Sequence, residues 1–199
     1  MRIPSLPDWA FYPLAALAVS AMITAAVLMG AEERPLSADE IRSQGYIYEG
    51  EALRGLTVGP GLAVEYLTEN DQSFARIAAE RGPLDGVPHG GSFFALNRNQ
   101  VEAFQGYSVI ITATLRSPTV DGAETVQMNF FAGGRTQNDW ETFNLPGSFE
   151  EIVFSVSTPS CEWEDGRTLI AFWPASSVGA NTVDLARVEI TASEAQDCP

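Results

Sequence analysis

Beyond residue 45, Gly, Pro, Asn and Asp recur about every ten residues and separate short runs in which apolar and polar side chains alternate. An alternation of period two puts successive side chains on opposite faces of a strand. A helix would need its apolar positions three or four residues apart. The pattern is clearest over residues 107–116, YSVIITATLR. There Tyr107, Val109, Ile111, Ala113 and Leu115 share one face, and Ser108, Ile110, Thr112, Thr114 and Arg116 share the other. Residues 126–132 set Val126, Met128 and Phe130 against Gln127, Asn129 and Phe131. Residues 140–145 set Phe143 and Leu145 against Trp140, Thr142 and Asn144. Residues 150–157 set Ile152, Phe154 and Val156 against Glu151, Val153 and Ser155. Residues 168–173 are apolar on both faces, which predicts a central strand. In the last run, 182–191, Val183, Leu185 and Arg187 oppose Asp184, Ala186, Val188 and Ile190. Residues 73–81 fit either a strand or a short helix. Strands that each bury one face pack as two layers, so the expected fold is all-β, a jelly-roll β-sandwich over residues 46–199.

The N-terminal part obeys another rule. Residues 10–30, AFYPLAALAVSAMITAAVLMG, carry no charge, and about 20 apolar residues at 1.5 Å rise cross a hydrocarbon core of roughly 30 Å. Trp9 and Tyr12 suit the headgroup layer at one end. This predicts one transmembrane helix over 10–30, with residues 1–9 cytoplasmic and 31–45 a polar stalk. The competing reading is a cleavable signal peptide, whose apolar stretch is shorter, about 7–15 residues. Ser37 and Glu40 form a capping-box pattern for one short helix in the stalk. Arg2 before the segment and Glu32 and Glu33 after it place the remainder outside the cytoplasm. Ala21 and Ala25 have the small-xxx-small spacing that lets a partner helix approach. Cys161 and Cys198 are the two cysteines, and an exported location favours a disulfide between them over two buried thiols. The basic residues are all Arg, with no Lys, as in a GC-rich bacterium. The expected address is therefore a bacterial inner membrane, single-pass, with the C-terminal domain in the periplasm.

Composition excludes several functions. Eleven basic residues against 26 acidic ones leave a formal charge of −15, which disfavours phosphate backbones and anionic lipid surfaces. Hydrophobic residues at 45% suffice for a packed core, so global disorder is out. The single His, His89, has Ser92 nearby but no GxSxG elbow, and it reads as a loop residue. One His and two distant Cys do not supply a zinc site. Glu150 with Glu151, and Glu162 with Glu164, suit a glycosidase's paired carboxylates in type, but at this charge such pairs usually face solvent. No phosphate-binding or dinucleotide fingerprint occurs. The chain reads as a non-enzyme without cofactor or metal.

The order of runs is YSVIITATLRS, VQMNFFAGG, DWETFNL, FEEIVFSVSTP, TLIAFWPA and finally NTVDLARVEI. It resembles the galactose-binding-like jelly-roll domains, in particular the non-catalytic carbohydrate-binding modules of secreted glycosidases. The resemblance covers roughly residues 91–190. It implies a binding role without catalysis, often with a structural Ca²⁺ beside the final strand. Only Asp184 matches that ending, since Leu185 stands where a second Asp is usual, and no metal is expected. The polar face then offers Trp140, Gln127, Asn129, Asn144 and Arg116 for stacking on a sugar and hydrogen bonding to its hydroxyls. The expected function is a membrane-anchored periplasmic module that recognises a glycan or another envelope component. The alternative is an accessory subunit of an inner-membrane complex, docking through the helix and the sandwich. Nucleic acid is not an expected partner.

Overall fold

The alternation resolves into two antiparallel sheets in a computed structural model that describes residues 8–29, 34–80, 91–133, 135–136, 139–157, 163, 167–175 and 181–196. The chain divides into two units, Met1–Pro35 and Leu36–Pro199. The first contains helix α1 (Asp8–Met29). The second opens with α2 (Ala38–Gln44) and contains α3 (Arg98–Phe104) and the sheets.

The first sheet holds β1 (Tyr46–Glu49), β3 (Leu62–Glu69), β4 (Gln72–Ala79), β6 (Tyr107–Arg116), β10 (Glu150–Val156) and β12 (Thr182–Ala195), in the order β10-β6-β12-β4-β3, with β1 also on β12. The second holds β2 (Thr57–Val58), β5 (Ser92–Ala95), β7 (Thr125–Ala132), β8 (Arg135–Thr136), β9 (Glu141–Asn144) and β11 (Leu169–Pro174), in the order β2-β5-β11-β7-β8, with β9 also on β7. Local chemistry explains the best-defined turn. Asn70 and Asp71 take φ of 50° and 65°, the paired left-handed geometry of a two-residue hairpin that Asn and Asp tolerate. The turn fixes the register Glu69↔Gln72 of β3 with β4. Residues 72–79 are thus strand, and the helical alternative falls.

The inner faces meet in one core. Val109, Ile111, Ala113 and Leu115 of β6 face Val126, Met128 and Phe130 of β7, with Phe94, Ile170, Phe172, Phe154, Val183, Val188 and Ile190. Burying each large side chain contributes about 1.5–3 kcal/mol. β11 is paired on both edges, by β5 and β7, and is buried throughout, as its two apolar faces require. In β12 the expected alternation breaks. A register shift lies between Leu185 and Arg187, so Ala186 is an extra residue in the ladder. The bulge reverses the phase, and Val188 and Ile190 join Val183 and Leu185 in the core while Arg187 stays half-buried.

Ser37 caps α2 with the box expected of Ser37 and Glu40. Arg42 of α2 donates from Nε to the Ala103 carbonyl at 3.2 Å and from Nη2 to the Glu102 carbonyl at 3.1 Å, near the end of α3. Gln100 of α3 donates to the Tyr48 hydroxyl at 2.9 Å and so fastens α3 to β1.

One expectation is corrected. Among the described residues no helix is long and apolar enough to cross a membrane. Pro13 lies inside α1, where it has no N–H to donate to the helix ladder. The single-pass inner-membrane anchor, and the periplasmic address deduced from it, do not stand. Ala21 is exposed on α1, and the Ala25 side chain lies outside the described residues. Cys161, Cys198 and His89 lie outside them as well.

Candidate functional site

The sandwich has two outer faces, and the expected ligand residues divide between them. On β7, Gln127 and Asn129 point away from the core, because Val126, Met128 and Phe130 point into it. The register Gln127↔Thr142 and Thr125↔Asn144 puts Thr142 and Asn144 of β9 on the same outer face. Gln127 Nε2 donates to Thr142 Oγ1 at 3.3 Å. Trp140 sits one residue before β9, and its ring packs edge-on against Phe131 and Trp173 with centroids 6.0 and 6.1 Å away. Four of the five predicted residues, Trp140, Gln127, Asn129 and Asn144, therefore meet on the second sheet.

Arg116 does not join them. It ends β6 in the first sheet, on the opposite side of the sandwich. The alternation within a strand assigns a face but not which sheet that face belongs to. On the first sheet's outer face Arg116 is held by carboxylates. Its Nε donates to Asp184 Oδ2 at 2.9 Å and its Nη2 to Glu69 Oε2 at 2.6 Å. Arg76 donates to the same Asp184 from Nε at 2.7 Å and from Nη2 at 2.9 Å. The Arg116 guanidinium also stacks over Phe149, 4.3 Å from the ring centroid, and over Phe74 at 5.0 Å. Burial is the largest single effect on the Arg116 pKa and lowers it, but the hydrogen bonds and charges of Glu69 and Asp184 together outweigh it and raise the pKa above its ordinary value. For Arg76 the Asp184 hydrogen bond is the largest cause and acts in the same direction.

This arrangement answers the question of a cation beside the last strand. The Asp184 side chain is 0% exposed and both of its oxygens accept from guanidinium groups. A divalent cation there would meet two positive charges instead of the six to eight oxygens it requires, so the residues present do not fit Ca²⁺.

The second sheet's outer face differs from the wet surface its polar residues suggested. Phe93, Phe131, Leu169 and Ala171 form a separate buried apolar cluster there, with Trp140 packed on it. Trp173 is 0% exposed and belongs to this outer layer, because Phe172 beside it points inward. The signal was present in the sequence: a strand apolar on both faces must cover something on its second face. Gly91 makes room for the stack, since a Cβ there would lie 3.3 Å from Trp140 Cη2 and 3.4 Å from Trp173 Cε3. The open part of the face lies along β9, where Thr142 and Asn144 are exposed and Gln127 and Trp140 half-buried. Asn129 is buried, and its Oδ1 accepts no hydrogen bond. The strand residues sharing this face, Thr125, Gln127, Asn129, Phe131, Thr142, Asn144, Phe93, Leu169, Ala171 and Trp173, include no charged side chain. Asp139 and Glu141, which flank Trp140 in sequence, are both exposed.

The hydrolytic alternatives find little here. Ser92 is buried, and its hydroxyl donates to the Phe172 carbonyl at 2.7 Å. Glu150 and Glu151 are exposed, and Glu162 and Glu164 lie outside the described residues. Trp163 packs against Phe130 with centroids 5.9 Å apart.

No known protein family and no curated protein matches this sequence. Solved structures do resemble it. One is an arabinose-bound MgGH51 α-L-arabinofuranosidase, at TM-score 0.50 and 8% identity, covering 75% of this chain and 25% of that one. Another is the CBM22-1 xylan-binding domain from Paenibacillus barcinonensis Xyn10C, at TM-score 0.47 and 15% identity, covering 76% of this chain and 97% of that one. A third is CBM35 from Paenibacillus barcinonensis, at TM-score 0.44 and 16% identity, covering 75% and 100%. At these identities the likeness is one of fold.

Proposed function

We propose that this chain is a non-catalytic glycan-binding module whose site is the β7–β9 side of the second sheet's outer face. One observation carries the reading. A half-buried indole, Trp140, is braced edge-on by Trp173 and Phe131 and set among the amides of Gln127, Asn129 and Asn144 on a face of uncharged strand residues. A sugar ring presents a flat C–H surface that packs on an aromatic face, and its hydroxyls take hydrogen bonds from side chains that both donate and accept, as amides do. Bracing by two other rings holds the indole in one orientation and lowers the entropy lost on binding. Arg116 has no part in this site.

The test is affinity gel electrophoresis of the full chain through xylan, arabinan, mixed-linkage β-glucan and solubilised peptidoglycan. Retention on at least one polymer is expected, falling tenfold or more with Trp140→Ala. The Arg116→Gln variant, altered on the other sheet, keeps it. Free migration of the wild-type protein in every gel, or equal retention of Trp140→Ala, refutes the proposal.

A further inference from the structure

We infer that Asn129 sets which glycan this face accepts, through an amide oxygen left without a partner in the free protein, and that the ligand is neutral and brings a hydroxyl to it. This rests on the glycan-binding reading above and adds the chemical class and the residue that selects it.

Asn129 is 1% exposed and its Oδ1 accepts no hydrogen bond. A buried acceptor in that state destabilises the fold, so it calls for an explanation, the more so as the other buried amide among the described residues, Gln100, is bonded at both ends of its side chain. The surroundings supply one. Asn129 lies between Gln127 and Phe131 along β7 and beside Ala171 of β11. Trp173 pairs with Gln127, and the Trp140 ring touches both Trp173 and Phe131, so the indole lies across the row that contains Asn129. The acceptor therefore stands at the foot of the ring proposed to carry the sugar. A ligand hydroxyl reaches it through a turn of the Asn129 amide toward the open β9 side, with the indole left in place against Trp173 and Phe131.

The missing partner is a donor, which defines the ligand. A sugar hydroxyl supplies an O–H. A carboxylate, sulfate or phosphate group adds only acceptors and a negative charge. The strand residues named on this face include no cation to compensate, Asp139 and Glu141 add negative charge beside Trp140, and the whole chain carries −15. Acidic glycans keep hydroxyl donors but are refused on charge, and neutral polyols are accepted.

The experiment compares the wild-type full chain with Asn129→Leu, nearly the same shape without polar atoms, and Asn129→Ala, which cannot overpack. Thermal midpoints are measured without ligand. Affinity gels contain xylan or mixed-linkage β-glucan as neutral polymers and polygalacturonate or alginate as acidic ones. Asn129→Leu is expected to melt about 2–6 °C higher, because an unsatisfied acceptor has been removed. Both variants are expected to lose tenfold or more in retention on the neutral polymer that holds the wild type, and no protein is retarded by the acidic polymers. Retention of the Asn129 variants equal to wild type, or retardation of the wild type by polygalacturonate, overturns this inference while leaving glycan binding in place. Failure of the wild type to bind any of the four polymers overturns both.

Discussion

Replacing Asp184 by Asn tests whether the outer face of the first sheet is held by charge. The carboxylate is 0% exposed and accepts three hydrogen bonds, two from Arg76 at 2.7 and 2.9 Å and one from Arg116 at 2.9 Å. An amide keeps one oxygen, but it turns an NH₂ donor toward a guanidinium and leaves two cations without their buried counter-charge. Breaking a fully buried pair typically costs about 3–5 kcal/mol. Here the arginine side chains are 32% and 21% exposed, so water and the Glu69 carboxylate recover part of the loss. The expected destabilisation is about 2–4 kcal/mol. In a domain of this size that corresponds to a fall of about 5–15 °C in Tm. Urea denaturation of the full chain, followed by the fluorescence of the sandwich tryptophans, measures it as a shift in midpoint at unchanged slope. Arg116→Gln is expected to lose less, since the bidentate Arg76–Asp184 pair survives. A change below about 0.5 kcal/mol, or one that disappears in 1 M salt, would mean that the cluster acts as an ordinary solvated surface pair, and the argument would fail.

Two further outcomes are expected. Burial pushes the Tyr48 hydroxyl up to about 12 from 10.0, although the hydrogen bond from Gln100 pulls the other way. The unfolded chain therefore ionises first. Stability is fully present below pH 10 and is lost as pH rises toward 12, by up to about 3 kcal/mol, and Tyr48→Phe flattens the stability–pH curve in that window. In the β6–β7 loop, a Cβ on Gly122 would collide with the Pro118 carbonyl oxygen and Ser117 Oγ. That loop cannot yield freely, since Ala123 N donates to the Thr182 carbonyl at 2.8 Å and Asn181 N to the Asp121 carbonyl at 2.9 Å. Gly122→Ala is expected to lower stability by about 1–3 kcal/mol in the same urea assay, and an unchanged midpoint would show that the loop adjusts.

The two faces of the sandwich serve different ends. The Asp184 cluster satisfies its own charges and leaves its acidic and basic groups matched, so it acts on stability. The Trp140 face leaves one acceptor unmatched and part of one aromatic ring exposed to solvent. Incomplete satisfaction, not the number of polar residues, is what the proposed glycan site rests on.

The alternation of β6, the centrality of β11 and the capping of α2 were legible in the sequence because each depends on neighbours a few residues away. Period two is enough to separate Leu115 from Arg116, and a run apolar on both faces is enough to place β11 inside. Two results depended on partners far along the chain. The β12 bulge at Ala186 arises where the strand passes from pairing β4 to pairing β1, and it moves Val188 and Ile190 back into the core. The assignment of Arg116 and Trp140 to opposite sheets follows from which strands pair, which no local period encodes. By itself the sequence determined strands, their faces and an amide-rich aromatic segment. The tertiary structure alone decided which faces meet, because long-range pairing and burial, not the order of residues along one strand, bring side chains into a common site.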